Sequence, residues 1–172
     1  PITTPNQKIK QVKKFGKDNI EVVLFGNNFT QAYKKALEDC KTNGKTFIHP
    51  FDDIKVIEGQ ATVFLEILNQ FKNKIDYIFI PIGGGGLISG AINVFKQLSP
   101  STKIVGIEPM GAPSMFKSLE QKKLVTLEKI NGFVDGAAVK KVGNYSFDYC
   151  KDFLDDIILI DEWEICKSIL DL

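Results

Sequence analysis

Four consecutive glycines, Gly83–Gly86, interrupt the stretch YIFIPIGGGGLISGAINVF (Tyr77–Phe95). Mostly apolar residues of strand character precede them and an apolar helical pattern follows. An ordered glycine costs roughly 0.5–1 kcal/mol relative to alanine. Four in a row therefore imply that something approaches this backbone too closely for a Cβ.

A glycine-rich turn between a strand end and a helix start is an anion site. The first N–H groups of the helix are unpaired, and the helix dipole favours negative charge. The carboxyl end of a parallel strand is also where open α/β sheets bind ligands. Phosphate is the natural guest. A P-loop is excluded, because no Lys-Ser or Lys-Thr follows the glycines. A Rossmann-type dinucleotide-dependent oxidoreductase is a rival reading: Gly84, Gly86 and Gly90 fit a loosened G-x-G-x-x-x-G, with Glu108 ending the next strand as a ribose-binding acid. A glycine-lined packing point without a ligand is the bland alternative.

Periodicity predicts the surrounding elements. Thr4-Pro5 reads as an N-cap and first helical position, with Ile9, Val12 and Phe15 on one face and Gly16 as the stop. NIEVVLFG and KTFIHPF read as buried strands. Phe29, Ala32, Tyr33, Ala36, Leu37 and Cys40 share a helix face that ends at Gly44. The next helix carries Ile57, Ala61, Phe64, Leu65 and Leu68 inward. KIDYIFIP is a near-continuous apolar run, as in a parallel strand covered on both faces. TKIVGIEP and DIILID are further strands. A short helix is expected around Ser114–Leu119, another in YSFDYCKDFL, and a last one from a capping box of Asp161 and Glu164 that runs through Leu172. Alternating strands and helices predict an α/β fold with a parallel sheet.

The 172 residues carry a net charge of +1, which gives no global electrostatic case for nucleic acid or an anionic membrane. All 22 basic residues are lysine, so no bidentate guanidinium is available to clamp an anion. Cys40, Cys150 and Cys166 read as free thiols. No apolar run is long enough to span a membrane. The opening at Pro1 and the expected helix still running at Leu172 suggest a piece of a longer chain.

Across essentially its whole length the chain resembles the pyridoxal-phosphate (PLP) enzymes of the threonine dehydratase group, the second structural type of PLP fold. The resemblance rests on PITTPNQKIKQVKKFG, PFDDIKVIEGQATVFLEI, PIGGGGLISG, IVGIEPMGAPSM, FVDGAAVKKVG and FLDDIILIDEWEICKSILDL, in that order. It implies a partial three-layer αβα parallel sheet like that of the tryptophan synthase β chain. Residues 1–53 would belong to the small N-terminal domain and 54–172 to the large cofactor-binding domain. Gly83, Gly84, Gly85, Gly86 and Leu87 would hold the cofactor phosphate, and Asp135 and Gly136, within Val134–Ala137, would lie beside its ring.

The resemblance further implies conversion of L-threonine to 2-oxobutanoate and ammonia in isoleucine synthesis, in a cytoplasmic homodimer or homotetramer. A serine dehydratase or racemase, acting on L-serine, is the alternative within the same fold; a non-catalytic cofactor-binding domain is another. The family's Schiff-base lysine motif, its substrate-carboxylate loop and the serine at the pyridine nitrogen are absent. The first two are expected before Pro1 and the third after Leu172, so no catalytic residue falls in this segment, which is expected to be inactive alone. Racemase-like members place a metal at an acid and a carbonyl equivalent to Glu108 and Ala112. Here Ser114 replaces the second acid, and no metal is expected. His49 reads as structural, and Asp52 and Asp53 as turn and cap residues.

Overall fold

The computed structural model describes residues 1–172, which divide into two compact units, Pro1–Ile48 and His49–Leu172.

The first unit holds α1 (Asn6–Gly16), a short 3-10 turn (Lys17–Asn19) and α2 (Phe29–Asn43). Thr4 is not the cap of α1. Pro5 occupies the N-cap position with no side-chain hydrogen bond, while the Thr4 hydroxyl turns back to the Pro1 carbonyl at 2.7 Å. Val12 and Phe15 on the expected apolar face are exposed. Gly44 ends α2 in the left-handed conformation expected of a C-cap glycine. The two strands expected here form no ladder and are not part of the sheet. Val23, Leu24, Phe25 and Ile48 are exposed in consequence. A strand is stabilised by its neighbours' hydrogen bonds and side chains, and apolar character alone does not supply them.

The second unit runs α3 (Ile54–Gln70), β1 (Tyr77–Pro81), α4 (Gly86–Leu98), β2 (Lys103–Pro109), α5 (Ser114–Glu120), α6 (Asn144–Phe153), β3 (Asp156–Ile160) and α7 (Glu162–Leu170). The strands form one parallel sheet in the order β1-β2-β3. Tyr77 pairs with Lys103 at one end of the first ladder, and Pro109 with Ile160 at the end of the second. This is the α/β architecture that the alternating elements predict.

Helix α4 lies on the sheet with α3 and α6 packed against it. Ile82, Ile88, Ile92, Phe95 and Ile104 are fully buried, and the rings of Phe64 and Phe95 meet edge to face at 5.9 Å. Ile57 and Phe64 are the buried residues of α3, whereas Leu65 is exposed rather than inward. Strand β1 is covered on one face only. Ile80 is buried, but Tyr77 and Phe79 stack on each other in solvent on the opposite face. The capping box of Asp161 and Glu164 forms as expected, and α7 ends at Leu170 instead of continuing. No helix is long and apolar enough to cross a membrane.

Candidate functional site

The glycine turn joins the carboxyl end of β1 to α4. The Ile82 N–H still donates to the Ile107 carbonyl, at 2.8 Å, and the Ser89 N–H donates to the Gly85 carbonyl at 3.0 Å. Between them, the N–H groups of Gly83 through Ile88 have no acceptor in the chain. Gly85, the N-cap of α4, has φ +93°, which a side-chain-bearing residue rarely adopts.

The other helices of this unit start differently. Asp53 accepts the Lys55 and Val56 N–H groups at the head of α3. Asp161 caps α7. Glu108 accepts the Met115 and Phe116 N–H groups of α5, both at 2.8 Å. Asp52 accepts the Asn144 and Tyr145 N–H groups of α6 at 2.9 and 3.0 Å. Each of those helices begins on a carboxylate of the chain, and α4 alone begins on none. Its positive end and its row of donors meet no negative group of the chain.

The glycines answer to the chain's own packing as much as to a ligand. A Cβ on Gly83 would stand 2.9 Å from the Gly136 carbonyl oxygen and 3.2 Å from the Ala137 Cα. On Gly84 it would collide with the Phe51 ring. On Gly85 it would stand 2.5 Å from the Ser146 Cβ, and on Gly86 3.0 Å from the Phe51 carbonyl oxygen. The loop is thus clasped from its Cβ side by three segments.

The structure brings Gly83 together with Gly136 and Ala137, two of the segments that the sequence singles out. Leu87 is half-buried in the first turn of α4, and Asp135 is exposed. The Gly136 carbonyl lies on the Cβ side of Gly83, while a Cβ on Gly136 itself would meet nothing within 4 Å. Gly90 is not part of the turn. Its Cα faces the Ala61 backbone on α3, so it serves helix packing.

Glu108 is fully buried, with both carboxylate oxygens engaged at the head of α5. Burial lifts its carboxyl to about 7, against the opposing pull of those N–H groups and of Ser114. In this position it cannot serve the ribose of a dinucleotide. Ala112 is buried in the turn just ahead of α5. Cys150 on α6 is buried, which pushes its thiol up to about 12, with Glu108 adding to the effect.

Sequence reasoning missed Phe51, Gly143 and Ser146 around the loop. The Gly143 N–H donates to the Gly84 carbonyl at 3.0 Å, and the buried Ser146 hydroxyl, behind Gly85, has no partner in the chain. Asp53 was legible as a local cap. Asp52 caps a helix ninety-two residues later, which no local pattern announces.

The orphaned donors fit a phosphate dianion without help from arginine, since main-chain N–H groups at a helix start carry the partial charge. A parallel sheet whose first strand ends in an uncapped glycine turn is an α/β ligand-binding architecture. Over residues 1–172 the chain matches the model of the family described as "Pyridoxal-phosphate dependent enzyme", and it belongs to that family. It is 52% identical over 172 residues to the biosynthetic L-threonine dehydratase IlvA of Halalkalibacterium halodurans and 48% identical to that of Bacillus subtilis. The whole chain is covered in both matches, and it spans 41% of each relative.

Among solved structures, the processed form of threonine deaminase isoform 2 from Solanum lycopersicum superposes with a TM-score of 0.92 at 45% identity, over 99% of this chain and 46% of that one. Maize serine racemase superposes with a TM-score of 0.90 at 31% identity, over 98% of this chain and 50% of that one. The fold is the second structural type of PLP enzyme, in part, and the family's cofactor is pyridoxal phosphate.

Proposed function

We propose that this chain is the phosphate-holding portion of a PLP-dependent L-threonine dehydratase, which converts L-threonine to 2-oxobutanoate and ammonia. The observation that carries the reading is the row of N–H groups from Gly83 to Ile88, at the one helix start of the larger unit that no carboxylate fills. PLP, when bound, supplies an electron sink for the electrons left at the substrate α-carbon once its proton is removed.

The chain's own share is binding and orientation. Gly83, Gly84, Gly85, Gly86 and Leu87 would hold the phosphate by main-chain N–H groups, and the α4 dipole would favour its second negative charge. A phosphate so fixed sets the position of the ring, and with it the reacting carbon. Asp135 and Gly136 would flank the ring, consistent with the Gly136 carbonyl lying against Gly83. Residues 1–53 and 54–172 would then be parts of the small and the cofactor-binding domain. The lysine that takes the α-proton would lie elsewhere in the longer protein, so this segment alone would not turn over substrate.

Threonine is preferred to serine because relatives near 50% identity bear the threonine dehydratase name, whereas the serine racemase stands at 31%. Isoleucine synthesis, a cytoplasmic location and a homodimer or homotetramer belong to the same reading.

The test is borohydride reduction of the longer natural protein with PLP, followed by peptide mapping, alongside an assay of 2-oxobutanoate from L-threonine. A pyridoxyl-lysine outside residues 1–172, with turnover of threonine, is expected. A specific adduct on a lysine of this segment, or no adduct and no turnover, overturns the proposal.

A further inference from the structure

The segment His49–Asp53 touches three helix starts at once. The His49 Nδ1 accepts the N–H groups of Phe51, at 3.3 Å, and Asp52, at 2.7 Å. The chain is thereby folded sharply over Pro50, with the His49 and Phe51 rings edge to face at 4.8 Å. The turn presents Phe51 to the glycines: its ring occupies the Cβ side of Gly84, and its carbonyl and Cβ face Gly86.

The next residue reaches a different element. The Asp52 carboxylate accepts the N–H groups of Asn144 and Tyr145 and the Asn144 Nδ2 at 2.9 Å. Gly143, immediately before α6, has no room for a Cβ because Asp52 fills that space, and its N–H is fixed on the Gly84 carbonyl. Asp53 then begins α3. One five-residue turn therefore holds the chain at Gly84 from two sides: Phe51 presses on its Cα, and Asp52 anchors the segment whose Gly143 N–H binds its carbonyl.

We infer that His49–Asp53 is a positioning clamp for the phosphate loop, with His49 as the positioning residue through which Phe51 and Asp52 act. The inference rests on the reading of Gly83–Leu87 as the phosphate site. None of the clamp residues needs to touch the ligand. The Gly84 carbonyl and the Gly85 N–H share one peptide plane, so holding that carbonyl and the Gly84 Cα keeps the Gly85 N–H aimed outward before any anion arrives, which lowers the ordering cost of binding.

The test uses the longer natural protein and two probes, PLP and pyridoxal, whose difference isolates the phosphate. His49→Ala removes the acceptor. His49→Asn restores one, since an Asn Oδ1 can stand near the place of Nδ1. Loss of an acceptor for two part-buried N–H groups predicts about tenfold weaker PLP binding in His49→Ala, little change for pyridoxal, and recovery in His49→Asn. With PLP bound, hydrogen exchange at Gly83–Ile88 should quicken in His49→Ala and slow again in His49→Asn. Asp52→Asn, acting from the other side, should quicken the same amides.

Equal weakening for both probes, or unchanged exchange at Gly83–Ile88, makes His49 a merely structural residue and overturns the clamp. A wild-type protein that binds PLP no better than pyridoxal overturns the phosphate reading itself. The two failures are distinct, because the first requires a wild type that discriminates between the probes.

Discussion

Gly90 on α4 lies directly against the Ala61 backbone of α3: a Cβ on Gly90 would stand 2.7 Å from the Ala61 nitrogen and 3.0 Å from the Gln60 carbonyl carbon. Both neighbours are helix backbone, so no side chain can swing aside. Gly90→Ala must push α3 and α4 away from each other, at a cost of about 1–3 kcal/mol. Gly59, also inside α3, is the control, since a Cβ there meets nothing within 4 Å. Gly59→Ala should stabilise by roughly 0.5–1 kcal/mol through helix propensity. Urea midpoints of the two variants in the longer protein should move in opposite directions.

Gly85 is constrained twice, by its φ of +93° and by Ser146. Gly85→Ala therefore combines a backbone cost of about 1–3 kcal/mol with a steric one. The two separate in a double-mutant cycle. Ser146→Gly in the Gly85→Ala background should recover the steric cost alone, leaving the protein less stable than Ser146→Gly by the backbone cost. Full recovery would mean that the left-handed conformation costs nothing here.

How legible this molecule was depends on how local each interaction is. The three strands of the sheet and α4 follow from apolar runs and glycine punctuation, and the Asp161–Glu164 box from a spacing of three. The stretches around Val23 and Phe47 carry the same apolar signature, yet they form no ladder, because strand pairing depends on a neighbour that hydropathy cannot name. The glycine turn reads as an anion site from its position, and the absence of a carboxylate cap on α4 agrees with that reading. The reason for each glycine was not legible. Phe51, Ala137 and Ser146 come from three separate segments, and only the folded chain brings them against Gly83, Gly84 and Gly85. Glu108 shows the converse error: its place at the end of β2 suits a ribose, but burial at the head of α5 takes it out of reach.

The three thiols should differ in reactivity. Burial pushes the Cys150 thiol up to about 12, so almost none of it is thiolate near pH 8, and solvent does not reach it. Cys40 and Cys166 are half-exposed. Brief treatment with iodoacetamide should alkylate Cys40 and Cys166 and spare Cys150 until denaturant is added. Peptide mass spectrometry reads the order directly, and early alkylation of Cys150 would contradict its burial.

Glu108 should give the longer protein a stability that falls with rising pH. Its carboxyl titrates near 7 when folded, against 4.5 as the ordinary value. Below about pH 4.5 both states carry the proton, and the full contribution is present. Between the two values the folded state holds more protons than the unfolded one, so stability declines as pH rises, and above about 7 the decline is complete. The raised value corresponds to a loss on the order of 3 kcal/mol across that window. Other carboxylates titrate over part of the same range, so the informative quantity is wild type minus Glu108→Gln. The glutamine cannot ionise, but its NH₂ faces the Met115 or Phe116 N–H. The variant should therefore be the weaker protein at about pH 5, with the gap narrowing toward about pH 8. Urea unfolding at four pH values between those limits measures the gap. A constant gap would mean that Glu108 keeps one charge state throughout, and would assign the pH dependence to another group.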